Sequence, residues 1–283
     1  MAPYEGNICM PVNEATRRRF IEALRKAAPF DGRPDADRVL AAFAAVPRER
    51  FVGPGPWTLF SVRRGRGLEP ERTPDADPRH LYRPVLVALD EEAGINIGDP
   101  TLWAPLLARV GVAEGAQVLQ AGAGSGYYTA ILAELVGPDG HVDAFETEAR
   151  LIGMADAALA DRANVALHHD NAVGAAPREP VDLVVAFAGV TRPPRAWCEA
   201  LAPGGRMLLP VTGSGGWGAM GLFERDGDAL RITTLGPCGF YPCHGARDPV
   251  SEHDVDVLFA DRSRLDGWSL RGQWEGERFT YDA

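Results

Sequence analysis

Apolar positions along the chain follow two periods, one helical and one alternating. Near the N-terminus, Phe20, Ile21, Leu24 and Ala28 recur at helical spacing, predicting an amphipathic helix over 14–28 that Pro29 ends. Residues 35–46 predict a second helix, with acids in its first turn and Pro47 just beyond it. Residues 53–79 are rich in Gly, Pro, Arg and Asp and predict an irregular surface segment. Residues 81–90 alternate into a strand. Residues 94–110 predict a turn entering a helix, with Pro100 at its start.

From Ala116 onward a strand-then-helix rhythm sets in. Strands are expected at 116–121, 141–146, 164–169, 181–188 and 206–211, and helices at 127–136, 148–160 and 194–201. That alternation predicts an α/β fold, a Rossmann-like doubly wound sheet with helices on both faces. Residues 217–236 predict an antiparallel C-terminal hairpin turning at Asp226-Gly227. Residues 246–283 read as irregular and polar. Three parts result: an N-terminal helical and irregular segment on the substrate side (1–100), a cofactor-binding domain (101–245) and a C-terminal extension (246–283).

Charge narrows the choice of partner. The 283-residue chain carries a net charge of -10, which argues against nucleic acid, whose phosphates need clustered cations. Its short basic runs, Arg17–Arg19 and residues 62–67, fit solvated surface, although the second could touch an anion. No secretory signal pattern and no membrane-length apolar run is apparent. Four cysteines, Cys9, Cys198, Cys238 and Cys243, are too sparse for a disulfide scaffold. The expectation is a reduced, cytoplasmic protein. Cys238, Cys243 and His244 lack a clear fourth ligand, so no metal is expected.

The chemistry concentrates at residues 118–132, Val-Leu-Gln-Ala-Gly-Ala-Gly-Ser-Gly-Tyr-Tyr-Thr-Ala-Ile-Leu. An apolar strand runs into Gly122, Gly124 and Gly126, then into a helix. Glycine permits positive φ and close approach of a ligand to the backbone. The dinucleotide fingerprint is broken, because Tyr127 stands at its sixth position. Glu146 ends the next strand and can accept hydrogen bonds from ribose hydroxyls. Asp170 follows the third strand, where it could meet an adenine amino group. Three sites at adjacent strand ends point to an adenosine without a pyrophosphate, which S-adenosylmethionine (SAM) fits. A tight turn with ordinary strand-end acids is the plainer alternative.

These stretches, with residues 39–53, 181–190, 201–211 and 235–245, resemble the protein-L-isoaspartate O-methyltransferases. The glycine turn and Leu201–Val211 are shared by many SAM-dependent methyltransferases. Residues 46–52 (Val-Pro-Arg-Glu-Arg-Phe-Val) and 240–245 (Phe-Tyr-Pro-Cys-His-Gly) point to the narrower family. The resemblance implies a methyltransferase fold and SAM contacts at Gly122, Gly124, Gly126, Glu146 and Asp170. Gln120, Tyr127, Thr147, Asn171 and Ala188 complete the candidate cofactor set.

Two departures stand out. Gln120 replaces the acidic residue usual before the glycine turn, where it would face the methionine ammonium. The family's acceptor segment reads Gln-Thr-Ile-Ser-x-Pro, whereas here it is Ile95-Asn96-Ile97-Gly98-Asp99-Pro100, without either hydroxyl.

A carboxylate acceptor is ionised at neutral pH and needs no general base; a phenol, alcohol or amine would be helped by one. Asn96, Asp99 and His244 are the candidate catalytic residues, with His80 a weaker base candidate. Asp99 equally suits a helix N-cap, Asn96 a turn and His244 a surface loop. Trp103 and Tyr128 could wall the pocket or simply fill core. The leading expectation is O-methylation of a carboxylate on a peptide or small molecule by a monomer or homodimer. The alternatives are a specialised-metabolite O-, N- or C-methyltransferase and a non-catalytic SAM-binding module.

Overall fold

The computed structural model describes residues 12–282 except 31, 32, 34, 64–66 and 178. Cys9 and the centre of the second basic run therefore lie outside the described residues. The first expected helix forms as α1 (Glu14–Ala27), capped by Asn13, whose Oδ1 accepts from the Thr16 amide at 3.0 Å. It buries Phe20 and Leu24 against α2 (Ala36–Ala45).

Residues 53–79 differ from expectation. They contain a hairpin, β1 (Thr58–Arg63) and β2 (Gly67–Arg72), paired antiparallel from Thr58↔Arg72 to Arg63↔Gly67. β2 is the edge of a small sheet that continues through β3 (Leu86–Asp90) to β4 (Ile95–Asn96). An edge strand leaves one row of N–H groups without a partner strand, so it tolerates proline and charges. After β4 comes α3 (Pro100–Val110), which ends at Gly111 in the left-handed region.

The main sheet is built as expected over its parallel half. Its strands are β5 (Gln117–Ala121), β6 (His141–Glu146), β7 (Val165–His169), β8 (Val181–Ala186) and β9 (Leu201–Thr212). Between them run α4 (Tyr127–Val136), α5 (Ala149–Leu159) and α6 (Arg195–Ala200). β9 starts earlier than the apolar run suggested. Its Pro203-Gly204-Gly205 segment, which reads as a turn, sits where the β8–β9 register shifts between Val181 and Leu183. A bulge absorbs the extra residues there. The hairpin follows as β10 (Trp217–Asp226) and β11 (Ala229–Gly239).

The tail overturns the expectation of an irregular segment. It folds into α7 (Pro249–Leu258), β12 (Asp266–Glu275) and β13 (Arg278–Asp282). Both strands extend the same sheet, whose order is β13-β12-β11-β10-β9-β8-β5-β6-β7.

Two cores cover the two faces. Consecutive β5 residues divide between them: Val118 joins the core containing Leu40, Leu107 and Ile131, while Leu119 joins Trp197, Val255 and Phe279. This is the period-two alternation of a strand covered on both sides. The strand order reverses at β5, and the carboxyl ends of β5 and β8 flank the crevice where such sheets take ligands.

Candidate active site

The glycine turn lies at that crevice. Gly122, Gly124 and Gly126 have φ of +83°, +57° and +92°, a region costly for side chains with a Cβ. The turn is pinned by the Phe145 carbonyl, which accepts from the Gly122 and Ala123 amides at 3.0 and 2.9 Å. A Cβ at Gly126 would press on Leu159, so helix α5 also requires glycine there. A Cβ at Gly124 would meet nothing within 4 Å, leaving the backbone open to a ligand.

Glu146 is a buried carboxylate at the end of β6. Its Oε2 accepts from the Gly124 amide at 2.7 Å, and its Oε1 from the Thr147 and Glu148 amides at 2.9 and 3.0 Å. These donors fix the group beside the turn. Gln120 is fully buried; its Nε2 donates to the Gly122 carbonyl at 3.3 Å, but its Oε1 has no donor. An unpaired buried acceptor at the turn suits an incoming cation or N–H. The open backbone, the fixed carboxylate and this lone acceptor together fit SAM.

Asp170 and Asn171 follow β7. Asp170 is exposed and accepts from the Asn171 amide at 2.7 Å. Asn171 donates from Nδ2 to the His244 carbonyl at 2.9 Å, tying this end to the segment after β11. Thr147 is exposed, and Ala188 follows β8, half-buried. Tyr127 turns away from the crevice: its ring packs against Phe43 and Phe51, and burial pushes its phenol up to about 12. Only its main chain faces the turn's helix end.

On the other side, Asp99 caps α3 and accepts from the Thr101 amide at 2.8 Å. Burial holds its carboxyl above the ordinary range, opposed by that bond. Asn96 accepts from the Gly98 amide at 2.8 Å, closing a side-chain turn. Gly98, at φ +78°, lies against Tyr128 and Trp103, and a Cβ there would be 3.1 Å from the Tyr128 ring. His244 is exposed, and its carbonyl makes the bond to Asn171. His80 pairs instead with Asp75 at 2.8 Å, in the turn before β3.

Sequence reasoning missed Phe187. It lay inside an apolar run that reads as strand interior, yet it follows β8 and stacks on Trp103 at 3.9 Å between ring centres. Tyr128 lies 5.0 Å from Phe187, and Phe240 lies 5.8 Å from Trp103. Trp103 and Tyr128 are thus buried core, forming an aromatic wall between the glycine turn and residues 94–99. A cavity of about 400 Å3 opens behind β3 and α5, where Arg72 pairs with Glu91 and Arg150 with Asp90.

A family model described as protein-L-isoaspartate(D-aspartate) O-methyltransferase matches residues 78–248, more than half of the chain. The chain belongs to this family. As a protein-L-isoaspartate O-methyltransferase family member, it is a SAM-dependent methyltransferase with a Rossmann-like fold. A relative of that name from Methanopyrus kandleri is 32% identical over 234 residues, covering 81% of this chain and 91% of its own. A solved protein-L-isoaspartate O-methyltransferase superposes with a TM-score of 0.59 at 18% identity, covering 94% of this chain and 82% of that one. A Plasmodium falciparum structure assigned to the same family, solved with S-adenosyl-L-homocysteine, gives 0.54 at 16%, covering 81% and 97%. Among the described residues no helix is long and apolar enough to cross a membrane.

Proposed function

We propose that the chain transfers the SAM methyl group to a carboxylate of a peptide, of the isoaspartyl type named in its relatives. SAM supplies an electrophilic methyl on a sulfonium. In this reading Glu146 receives the ribose hydroxyls, and Asp170 with Asn171 meets the adenine. Gln120 with the Gly122–Gly126 backbone receives the methionine end. Thr147, Ala188 and the Tyr127 main chain line the same crevice. Residues 1–100 contribute the acceptor side, 101–245 the donor side and 246–283 a structural extension. Three buried or half-buried thiols support a reduced, cytoplasmic setting; burial raises Cys198 and Cys243 to about 11 and Cys238 to about 12.

The observation that carries the acceptor class is the commitment of Asp99 and Asn96 to main-chain amides. Asn96 is a neutral amide and no base, and Asp99 spends its Oδ1 on capping α3. An acceptor already ionised at neutral pH needs no base, which favours a carboxylate over a phenol or amine. The protein's work is then positioning and exclusion of water, which the stacked Trp103, Phe187 and Tyr128 rings support.

Methyl-labelled SAM offered with an isoaspartyl peptide and its aspartyl twin tests this. Base-labile label on the isoaspartyl peptide alone is the expected result. SAM binding without transfer to either peptide would refute the acceptor reading.

A further inference from the structure

We propose that Tyr241 determines acceptor specificity, bridging the two sides of the acceptor mouth so that only a flexible peptide segment or small carboxylate enters. This rests on the acceptor reading above.

Residues 94–99 and 239–245 converge beside the aromatic wall. The Tyr241 hydroxyl donates to the Gly94 carbonyl at 3.0 Å, joining residues 147 positions apart. The same carbonyl accepts from Asn96 Nδ2 at 3.3 Å, so Tyr241 also braces the turn that Asn96 shapes. Gly94 has φ +71°, and any Cβ there would collide with the Tyr241 hydroxyl. The bridge therefore depends on both residues.

Its two ends differ in firmness. The Tyr241 carbonyl accepts from the Gly189 amide at 2.7 Å, and the Gly189 carbonyl accepts from the Cys243 amide at 2.8 Å. Arg247 locks this loop from below, with its side chain only 8% exposed. Its Nη1 donates to the Gly189 carbonyl at 3.1 Å and to Thr212 Oγ1 at 2.8 Å. Its Nη2 donates to the Gly213 carbonyl at 2.6 Å, and its Nε to Glu252 at 3.0 Å. Gly94, by contrast, precedes a two-residue strand whose register with β3 is irregular. The mouth can widen only by moving the β3–β4 turn away from a fixed Tyr241. Tyr241 is 56% exposed, so it stands at the rim, where an incoming chain must pass. A folded surface cannot fit around such a strap, whereas a chain segment can thread past it.

The test compares the full-length wild type with Tyr241→Phe and Tyr241→Ala. Each is given an isoaspartyl hexapeptide and the same isoaspartyl site in a small disulfide-bonded folded protein. The wild type should prefer the hexapeptide. Tyr241→Phe should narrow the kcat/KM ratio by about threefold to tenfold through gain on the folded acceptor, the range of one neutral hydrogen bond. Tyr241→Ala should narrow it further. Amide exchange across residues 92–98 should quicken in Tyr241→Phe, with calorimetric SAM binding as the control for folding. An equal ratio in all three proteins overturns the specificity role, and unchanged exchange overturns the bridge. If the wild type binds SAM but methylates neither acceptor, the acceptor reading falls and the restriction drawn from it falls too, while exchange still judges the bridge.

Discussion

Gln120 has an amide nitrogen bonded to Gly122 and an amide oxygen facing no donor. A carboxylate there would be costly alone, since burial disfavours the charged form, but it would pair well with an ammonium. Gln120→Glu should therefore lower the melting temperature without ligand and tighten SAM binding about tenfold, the lower end of a charged hydrogen bond's worth. 5′-Methylthioadenosine, which lacks the ammonium, should gain nothing by calorimetry. Equal gains for both ligands would remove the ammonium from the account. Asp99 gives a prediction in pH. Burial raises its folded pKa above the ordinary 3.8, with the Thr101 bonds pulling the other way. The folded state then holds the proton more tightly than the unfolded chain. Its stabilising share is complete below about 3.8 and is lost as pH rises through the raised value. Asn caps equally well without a charge. Asp99→Asn should match the wild type in urea near pH 3.5 and overtake it as pH rises; the reverse trend would mean that the cap bond outweighs burial.

The elements legible in the sequence are those where burial imposes a period or a backbone angle demands one residue type. α4 and β6 fall at their expected bounds because both are buried and strongly patterned. The glycine turn was legible because its φ values admit little else. α3 announced itself through Asp99 and Pro100. β2 did not, because Pro70, Glu71 and Arg72 are exposed and carry no apolar period, and β12 did not, because glycines at 267 and 272 interrupt an alternation of buried and exposed residues. At the site, the glycines and Glu146 were readable from local spacing. Phe187, Tyr241 and Arg247 were not, because their partners lie far away in sequence. Arg48 is the clearest such case. It is fully buried and donates to the carbonyls of Leu81, Arg83 and Val85 at 2.7, 2.8 and 3.0 Å. Its guanidinium also lies over Phe20 and Tyr127 at 5.4 and 5.3 Å, joining α1, α4 and the chain entering β3. Arg48→Met would strand three carbonyls and should cost about 3 kcal/mol or more. Arg48→Lys should recover only part, since an ammonium cannot reproduce the planar fork. Urea midpoints for the two variants would decide; a well-tolerated Met would mean that the carbonyls find water.

At the scale of the molecule, the family match ends at residue 248 but the sheet does not. β12 pairs with β11 from Leu230↔Gly272 to Leu235↔Asp266, and β13 closes the far edge. Val255, Leu258, Leu270 and Phe279 are buried in the same core as Trp197 and Met207. The Tyr281 hydroxyl donates to the Thr191 carbonyl at 2.7 Å, and Arg192 and Arg195 lie over Trp274 at 5.0 and 4.8 Å. Each large apolar side chain is worth about 1.5–3 kcal/mol when buried. Four of them approach the 5–15 kcal/mol that holds a whole domain together. Removing residues 249–283 would forfeit that burial and bare the β11 edge for pairing with other chains. The shortened chain should aggregate, or melt without cooperativity and bind SAM weakly, even though every candidate donor-binding residue remains. Calorimetry and light scattering on the truncated protein would check this. A soluble, cooperatively melting product that binds SAM as the full chain does would reduce the extension to an ornament on the sheet. Failure would make residues 249–283 part of what holds the crevice in shape, acting through the far side of β9 and the Gly189 loop that Arg247 and Glu252 brace.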